Sequence, residues 1–163
     1  MKNNNLPVFP LGLVALPGTI QNLQIFEPRY VSMVKDCMKN NHGFVIVFQK
    51  PSENIDEFEI SKKGSYVEII DFNNLPNGLL GISVKSINKV SISDLVQLED
   101  GLHIAKVNPL IDPEVDDQAL LAEFPEISNI LNQLVKHPGV VDMPIEVDFN
   151  SADSVAYHLA GLI

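Results

Sequence analysis

An amphipathic helix pattern that runs directly into an apolar strand pattern constrains this 163-residue chain more than any other feature. Glu27 and Pro28 suit the first turn of a helix, and the Asn-Asn-His-Gly sequence at 40–43 suits its end. Between them, apolar residues recur three or four positions apart, which predicts one buried stripe: Tyr30, Met33, Val34, Cys37 and Met38. Residues 44–48 are all apolar, which predicts a strand buried on both faces.

Further strand patterns follow, separated by turn sequences. After a polar surface loop predicted at 50–57, the strand predictions are residues 65–72, 79–84, 87–92 and 102–110. An Asn-Gly pair at 77–78 and the Glu-Asp-Gly turn at 99–101 separate two of the neighbouring pairs. Together with the proline-punctuated run before the helix, these strands predict a closed or nearly closed meander with one helix inserted early.

The pattern becomes helical beyond residue 112. A helix is predicted to start at Asp116 or Asp117, to be interrupted or kinked at Pro125, and to end within 137–139. Residues 140–149 are ambiguous, with an extended segment as one interpretation. A last helix begins near Ala152 and ends on Gly-Leu-Ile without a capping residue. We therefore expect a strand-rich domain at 1–112 and a helical segment at 113–163 that is truncated at its C-terminus.

Charge is distributed unevenly along the chain. The formal net charge is −10, and residues 111–163 carry ten Asp and Glu residues against a single Lys, Lys136. Such a field repels phosphate backbones, so we expect no nucleic-acid partner. No apolar run reaches the ~18 residues of a membrane span, and the polar N-terminus does not resemble a signal peptide, so we expect a cytoplasmic protein without a membrane partner.

The residues that usually carry chemistry do not form a recognisable constellation. Ser32 and Lys35 have S-x-x-K spacing, but the companion motifs of the serine-lysine acyl enzymes are missing. The four histidines are far apart, there is no phosphate-binding glycine loop, and the one cysteine, Cys37, lies on the apolar stripe. We therefore expect no catalytic residue, no metal site and no cofactor, and we predict that the chain is not an enzyme.

One long motif resembles a known family. The sequence LPVFPL at 6–11, the Pro-Gly turn at 17–18 and LQIFEPRY at 23–30 resemble the start of the Lon protease N-terminal domain. Weaker similarity continues at 64–71, 75–78, 105–112 and 154–163. The resemblance implies an α+β fold, a PUA-like β-barrel with one early helix followed by helices, which recognises unfolded or degron-bearing substrates. Where the family has Gly-x-x-Arg-Phe, this chain has Ser-Ile-Asn-Lys-Val at 86–90, and these 163 residues do not include the ATPase and protease modules of the family.

Within the motif, four residues are candidates for recognition or for the junction between helix and barrel: Phe26, Glu27, Arg29 and Tyr30. Motifs at the junction of two elements usually encode packing. We therefore predict that the two aromatic side chains seal the helix on the barrel and that one of the charged residues pairs locally, with ligand recognition as the alternative.

The leading functional hypothesis is a non-catalytic domain that binds unfolded or extended polypeptide, with a protease or chaperone as a further partner. Binding would use an open sheet edge or a groove between the barrel and the helices. Two alternatives remain open. The first is an adaptor or scaffold that meets a folded partner, such as a protease subunit, through the acidic helical end. The second is a small enzyme that uses the barrel cavity.

Overall fold

The computed structural model describes residues 4–51 and 58–163. The predicted surface loop at 50–57 therefore lies mostly outside the described residues. The elements in chain order are β1 (Asn5–Leu11), β2 (Ile20–Ile25), α1 (Pro28–Asn40), β3 (Phe44–Pro51), β4 (Phe58–Asn74), β5 (Leu80–Gln97), β6 (His103–Pro109), α2 (Asp117–Glu123), α3 (Pro125–Leu134) and α4 (Ala152–Leu162). The fold is thus mixed α+β, as predicted, with a six-stranded sheet and four helices among the described residues.

The strands follow the order β2-β5-β4-β3-β1-β6, and an additional pairing between β5 and β6 joins five of them into a ring. β2 lies outside that ring, since it is at the end of the strand order and, among the described residues, pairs with β5 alone. The first strand pairs in parallel with β3, with Val8 opposite Val45, and parallel neighbours need a crossover connection. Here β2 and α1 form that crossover. The prediction of a simple meander is therefore wrong at this point.

A bulge explains why one strand was predicted as two. The strands predicted at 79–84 and 87–92 fall, apart from Leu79, in the single strand β5. Tyr66 faces Asn88 and Val67 faces Ser86, so Ile87 is an extra residue in the ladder, and its side chain is exposed. A bulge interrupts the alternation of inward and outward side chains without ending the strand. The sequence pattern therefore breaks at a position where the hydrogen-bonded ladder continues.

The core consists of two clusters that share β3. Phe44 and Ile46 pack with α1 in the first cluster, and Val45 and Val47 pack with β1, β5 and β6 in the second. Burial of the strand on both faces is thus confirmed for residues 44–47, whereas Phe48 is partly exposed. The predicted stripe of α1 is confirmed for four residues, which are buried against the first cluster: Tyr30, Met33, Val34 and Cys37.

The helical segment begins and ends its helices largely where the sequence predicts. Asp116 caps α2 by accepting a hydrogen bond from the backbone N–H of Ala119, and Pro125 separates α2 from α3. Ser151 caps α4 in the same way. Residues 140–143 form turns and a bend, and residues 144–148 belong to no helix or strand, so this stretch joins α3 to α4 without pairing in the sheet. Among the described residues, no helix is long and apolar enough to cross a membrane.

Candidate functional site

The four residues singled out by the motif lie at the N-terminal end of α1. The Arg29 Nε atom lies 2.9 Å from Oε2 of Glu27, and Nη1 donates a 2.8 Å hydrogen bond to the carbonyl oxygen of Gly101. Gly101 has a positive φ of 90°, and a Cβ there would lie 3.0 Å from Nη1. The arginine therefore ties the start of α1 to the turn between β5 and β6.

The two aromatic residues of the motif have opposite environments. Tyr30 is buried with its ring centroid 4.0 Å from that of Phe9, and burial raises the pKa of its hydroxyl, against the lowering effect of Arg29. Phe26 is 67% exposed. A sealing role therefore fits Tyr30, whereas the structure does not place the Phe26 side chain in the junction.

The C-terminal end of α1 is built differently. Asn41 adopts the left-handed conformation, and its backbone N–H bonds to the carbonyl oxygen of Cys37. The chain then passes very close to β4 at Gly43, where a Cβ would lie 1.9 Å from the carbonyl oxygen of Val67. The Gly43 N–H also donates to the hydroxyl of Tyr66 at 3.0 Å. This glycine lets the end of α1 and the start of β3 lie directly against β4.

Beyond that contact, β4 continues past its neighbour. β4 has 17 residues and β3 has 8, and their pairing ends where Phe44 faces Val67. Residues 68–74 lie beside β5 on one side, paired with it except at Ile70, which is the extra residue of a bulge, and among the described residues they have no strand neighbour on the other side. We call this the open edge of β4. Backbone donors and acceptors on such an edge are available to another chain, except where a side chain already bonds them, as Oδ1 of Asp71 does with the N–H of Phe72.

A groove of about 450 Å³ runs between the open edge and the end of α1. Its lining residues are Cys37, Met38, Asn41, His42, Glu68, Ile69, Ile70, Asp71 and Phe72. We call it the edge groove. Ile70 is 52% exposed, Phe72 55% and Met38 42%, although all three are large apolar residues. The groove thus combines an unpaired strand edge with apolar side chains that are about half exposed.

The groove offers binding chemistry rather than a nucleophile. Burial, with a smaller effect of Asp36, raises the pKa of the Cys37 thiol to about 11, so this group stays protonated near neutral pH. Ser32 and Lys35 are exposed on the outer face of α1, and neither lines the edge groove. Among residues 4–51 and 58–163, no cluster of three or more His, Cys, Asp or Glu side chains could hold a metal ion.

A second cleft, of about 600 Å³, lies between β5 and the helical segment. Lys89 Nζ contacts Asp112 Oδ2 at 2.6 Å, and the Tyr157 hydroxyl lies 3.4 Å from the same carboxylate oxygen. The hydrogen bond between Lys89 and Asp112 raises the pKa of the lysine and lowers that of the carboxyl group. Lys89 lies on β5 and Tyr157 on α4, so the trio connects these two elements through Asp112. Its two charges are engaged with each other.

Sequence reasoning named the N-terminal end of α1 and missed the edge groove. The groove arises from the unequal lengths of β3 and β4 and carries no motif. A usable signal was present, however, because the predicted strand at 65–72 is longer than the predicted strand at 44–48.

The fold and the motif agree with the comparisons to known proteins. A family model described as the ATP-dependent protease La (LON) substrate-binding domain matches residues 5–163. The chain belongs to this family. The resemblance inferred from residues 6–30 is thereby confirmed. Membership of the family associates this chain with substrate binding and with proteolysis.

Curated relatives and solved structures cover most of the chain. It is 26% identical to Lon protease 1 of Bacillus subtilis over 165 residues, which is 95% of this chain and 21% of that protein. It is 27% identical to the protein cereblon of Danio rerio over 124 residues, 74% of this chain and 28% of that protein. A crystal structure of a Lon N-terminal domain protein from Xanthomonas campestris matches 98% of this chain and 82% of that chain, with a TM-score of 0.71 and 23% identity.

A structure of the N-terminal domain of Mycobacterium avium complex Lon protease covers 98% of this chain and 96% of that chain, with a TM-score of 0.60 and 13% identity. At these identities the structural matches establish the shared fold. The chain spans less than a third of the length of the curated relatives described here.

Proposed function

We propose that this chain binds extended, apolar polypeptide segments in the edge groove. The observation that supports this proposal is the open edge of β4, seven residues long, beside exposed Met38, Ile70 and Phe72. An added strand would exchange main-chain hydrogen bonds with residues 68–74, and alternate side chains of the ligand would face the groove. At ~3.3 Å per residue the edge would span about 23 Å.

The chemistry of the groove favours an unfolded segment over a folded surface. A strand edge can bond only to a backbone whose own donors and acceptors are unpaired, and unfolded chains supply such backbones. The exposed apolar side chains then add a preference for aliphatic and aromatic residues. Binding would therefore depend little on the exact ligand sequence, which suits a family described by substrate binding.

The finer predictions from the sequence belong to the same proposal. We infer that the strand ring corresponds to the PUA-like barrel of the resemblance, that the domain acts without catalysis, and that it works in the cytoplasm. Degron-bearing proteins are then one source of the extended segments. A small enzyme is not favoured, because neither Ser32 nor Lys35 lines the edge groove or the cleft beside Lys89.

The test is a titration of a fluorescently labelled, reduced and carboxymethylated polypeptide that cannot refold, followed by fluorescence anisotropy. We expect saturable binding with Kd on the order of tens of micromolar or tighter. A double variant, Ile70→Lys with Phe72→Lys, should weaken binding roughly tenfold or more, since it places two charges where apolar ligand side chains would pack.

The matched control is Gln24→Lys on β2, which is at the end of the strand order. The exposed residues of that strand are polar, Asn22 and Gln24, so the edge of β2 lacks the apolar component. This control should bind as the wild type does. Absence of saturable binding, or equal weakening in the β2 variant, would overturn the proposal.

A further inference from the structure

A second groove lies in the helical segment, on the seam where α2, α3 and α4 meet. It has a volume of about 170 Å³. Its lining is apolar except for one carboxylate: Leu120, Leu121, Phe124, Ile127, Ala152, Asp153, Val155 and Ala156. We call it the helical groove. Phe124 is 42% exposed and Ala156 is also exposed, so the seam is open to solvent.

One acidic side chain lies in the wall of the helical groove, and two more lie close to Phe124 in the sequence. Asp153 lies in its wall, and Glu123 and Glu126 flank Phe124 in the chain. Asp153 and Glu126 also lie in the first turns of their helices, where they stabilise the helix dipole. Among residues 4–51 and 58–163, none of these three carboxylates has an ion-pair partner, whereas Asp112 and Glu146 pair with lysines of β5.

We propose that the helical groove binds a basic amphipathic helix of a partner protein. The apolar lining would accept a large side chain from one face of that helix, and lysine or arginine residues beside this face would meet Glu123, Glu126 and Asp153. The surface is separate from the edge groove, and it gives the adaptor hypothesis a specific site and a specific kind of partner.

The charge and the architecture favour this occupant over the others. A second copy of the chain would bring the same acidic surface, and nucleic acid or an anionic lipid surface would likewise be repelled. An extended segment would find no strand edge on α2, α3 or α4, so its backbone groups would lose water without gaining partners. A helix satisfies its own backbone groups and can dock through side chains alone.

The test uses a labelled synthetic peptide with leucine on one helical face and lysine elsewhere, titrated into the full chain and followed by fluorescence anisotropy. Two companion peptides separate the contributions. One replaces each lysine by glutamate, and the other has the same composition in an order that gives no apolar face. We expect the first peptide to bind at least tenfold more tightly than either companion, with binding that weakens as salt is raised.

The variant Ala156→Phe fills the helical groove at an exposed position of α4, and it should weaken binding roughly tenfold. Ala160→Phe, one turn later on the same helix and outside the groove, should leave binding within twofold. Combined Glu123→Lys and Glu126→Lys should weaken binding and reduce its salt dependence. Glu99→Lys, on the turn between β5 and β6, should do neither.

Several outcomes would overturn this proposal. They are no binding of the basic peptide, equal binding of the reordered peptide, or equal weakening by Ala160→Phe. Sedimentation that shows self-association abolished by Ala156→Phe would assign the groove to a second copy instead. The Ile70→Lys and Phe72→Lys double variant should bind the basic helical peptide normally, so a failure of the edge-groove proposal is distinguishable from a failure here.

Discussion

The two ends of α1 differ in almost every property that matters for binding. At the N-terminal end, Arg29 pairs with Glu27 and with the backbone of Gly101, and Tyr30 is buried. At the C-terminal end, Met38 is partly exposed beside a strand edge that has no neighbour among the described residues. The N-terminal end carries the sequence motif, and the C-terminal end carries the open surface.

This difference shows that a strong motif and a binding surface need not coincide. The FEPRY sequence fixes where the chain enters α1, because Glu27, Arg29 and Tyr30 are engaged with each other or with the rest of the fold. The edge groove follows instead from the unequal lengths of two paired strands. We therefore expect substitutions at the N-terminal end to affect stability and substitutions in the groove to affect binding.

The largest expected effect is at Gly43, which brings the end of α1 against β4. Gly43→Ala would place a Cβ 1.9 Å from a backbone oxygen that belongs to the β3–β4 ladder. We expect the free energy of unfolding to fall by about 3 kcal/mol, because the clash can be relieved only by moving backbone. Urea denaturation measures this, with Gly12→Ala as the control, since nothing lies within 4 Å of a Cβ there. Equal stabilities of the two variants would contradict the close approach.

At the other end of α1, Arg29→Met should lower the free energy of unfolding by about 1.5 kcal/mol. It removes the charge-assisted hydrogen bond that the Arg29 guanidinium donates to the carbonyl oxygen of Gly101, so that oxygen loses one of its donors. Lys35→Met on the exposed face of α1 is the matched control and should change stability by less than about 0.5 kcal/mol. Polypeptide binding by Arg29→Met should stay within twofold of the wild type, and a larger loss would assign recognition to the motif.

A direct comparison of two exposed phenylalanines tests which end recognises ligand. Phe72→Ser should weaken binding of the unfolded polypeptide roughly fivefold, about 1 kcal/mol, because it removes apolar contact area in the edge groove. Phe26→Ser should have no measurable effect, although Phe26 is the more exposed of the two. The reverse ranking in anisotropy titrations would return the recognition site to the N-terminal end of α1.

Much of the fold could be predicted from local sequence, and the candidate site could not. The limits of α1 follow from Pro28 and from the Asn-Asn-His-Gly sequence, and the caps of α2 and α4 follow from Asp116 and Ser151. These features depend on residues a few positions apart. The parallel pairing of β1 with β3 and the bulge at Ile87 depend on partners far along the chain, which a local pattern does not encode. The open edge of β4 belongs to the second kind, since it exists only because β3 stops pairing at Phe44.

The smallest expected effect is on the pH dependence of stability, and it again distinguishes the two ends of α1. Burial, with a smaller contribution from Arg29, lowers the pKa of the His103 imidazole below its usual value near 6.5. The unfolded chain therefore binds a proton more readily than the folded chain between those two pKa values. The free energy of unfolding therefore has its full value above the pKa of His103 in the unfolded chain, and it falls as the pH drops through the lower pKa of His103 in the folded chain.

Urea denaturation at pH 7.5 and at pH 5.0 should show a larger loss of stability for the wild type than for His103→Gln. The difference should be small, because the side chain is only partly buried. Arg29→Met should reduce the acid effect as well, since it removes the positive charge that acts on the imidazole. The Ile70→Lys and Phe72→Lys variant should keep the wild-type dependence. If His103→Gln and the wild type lost equal stability, the titration would have to lie elsewhere in the chain.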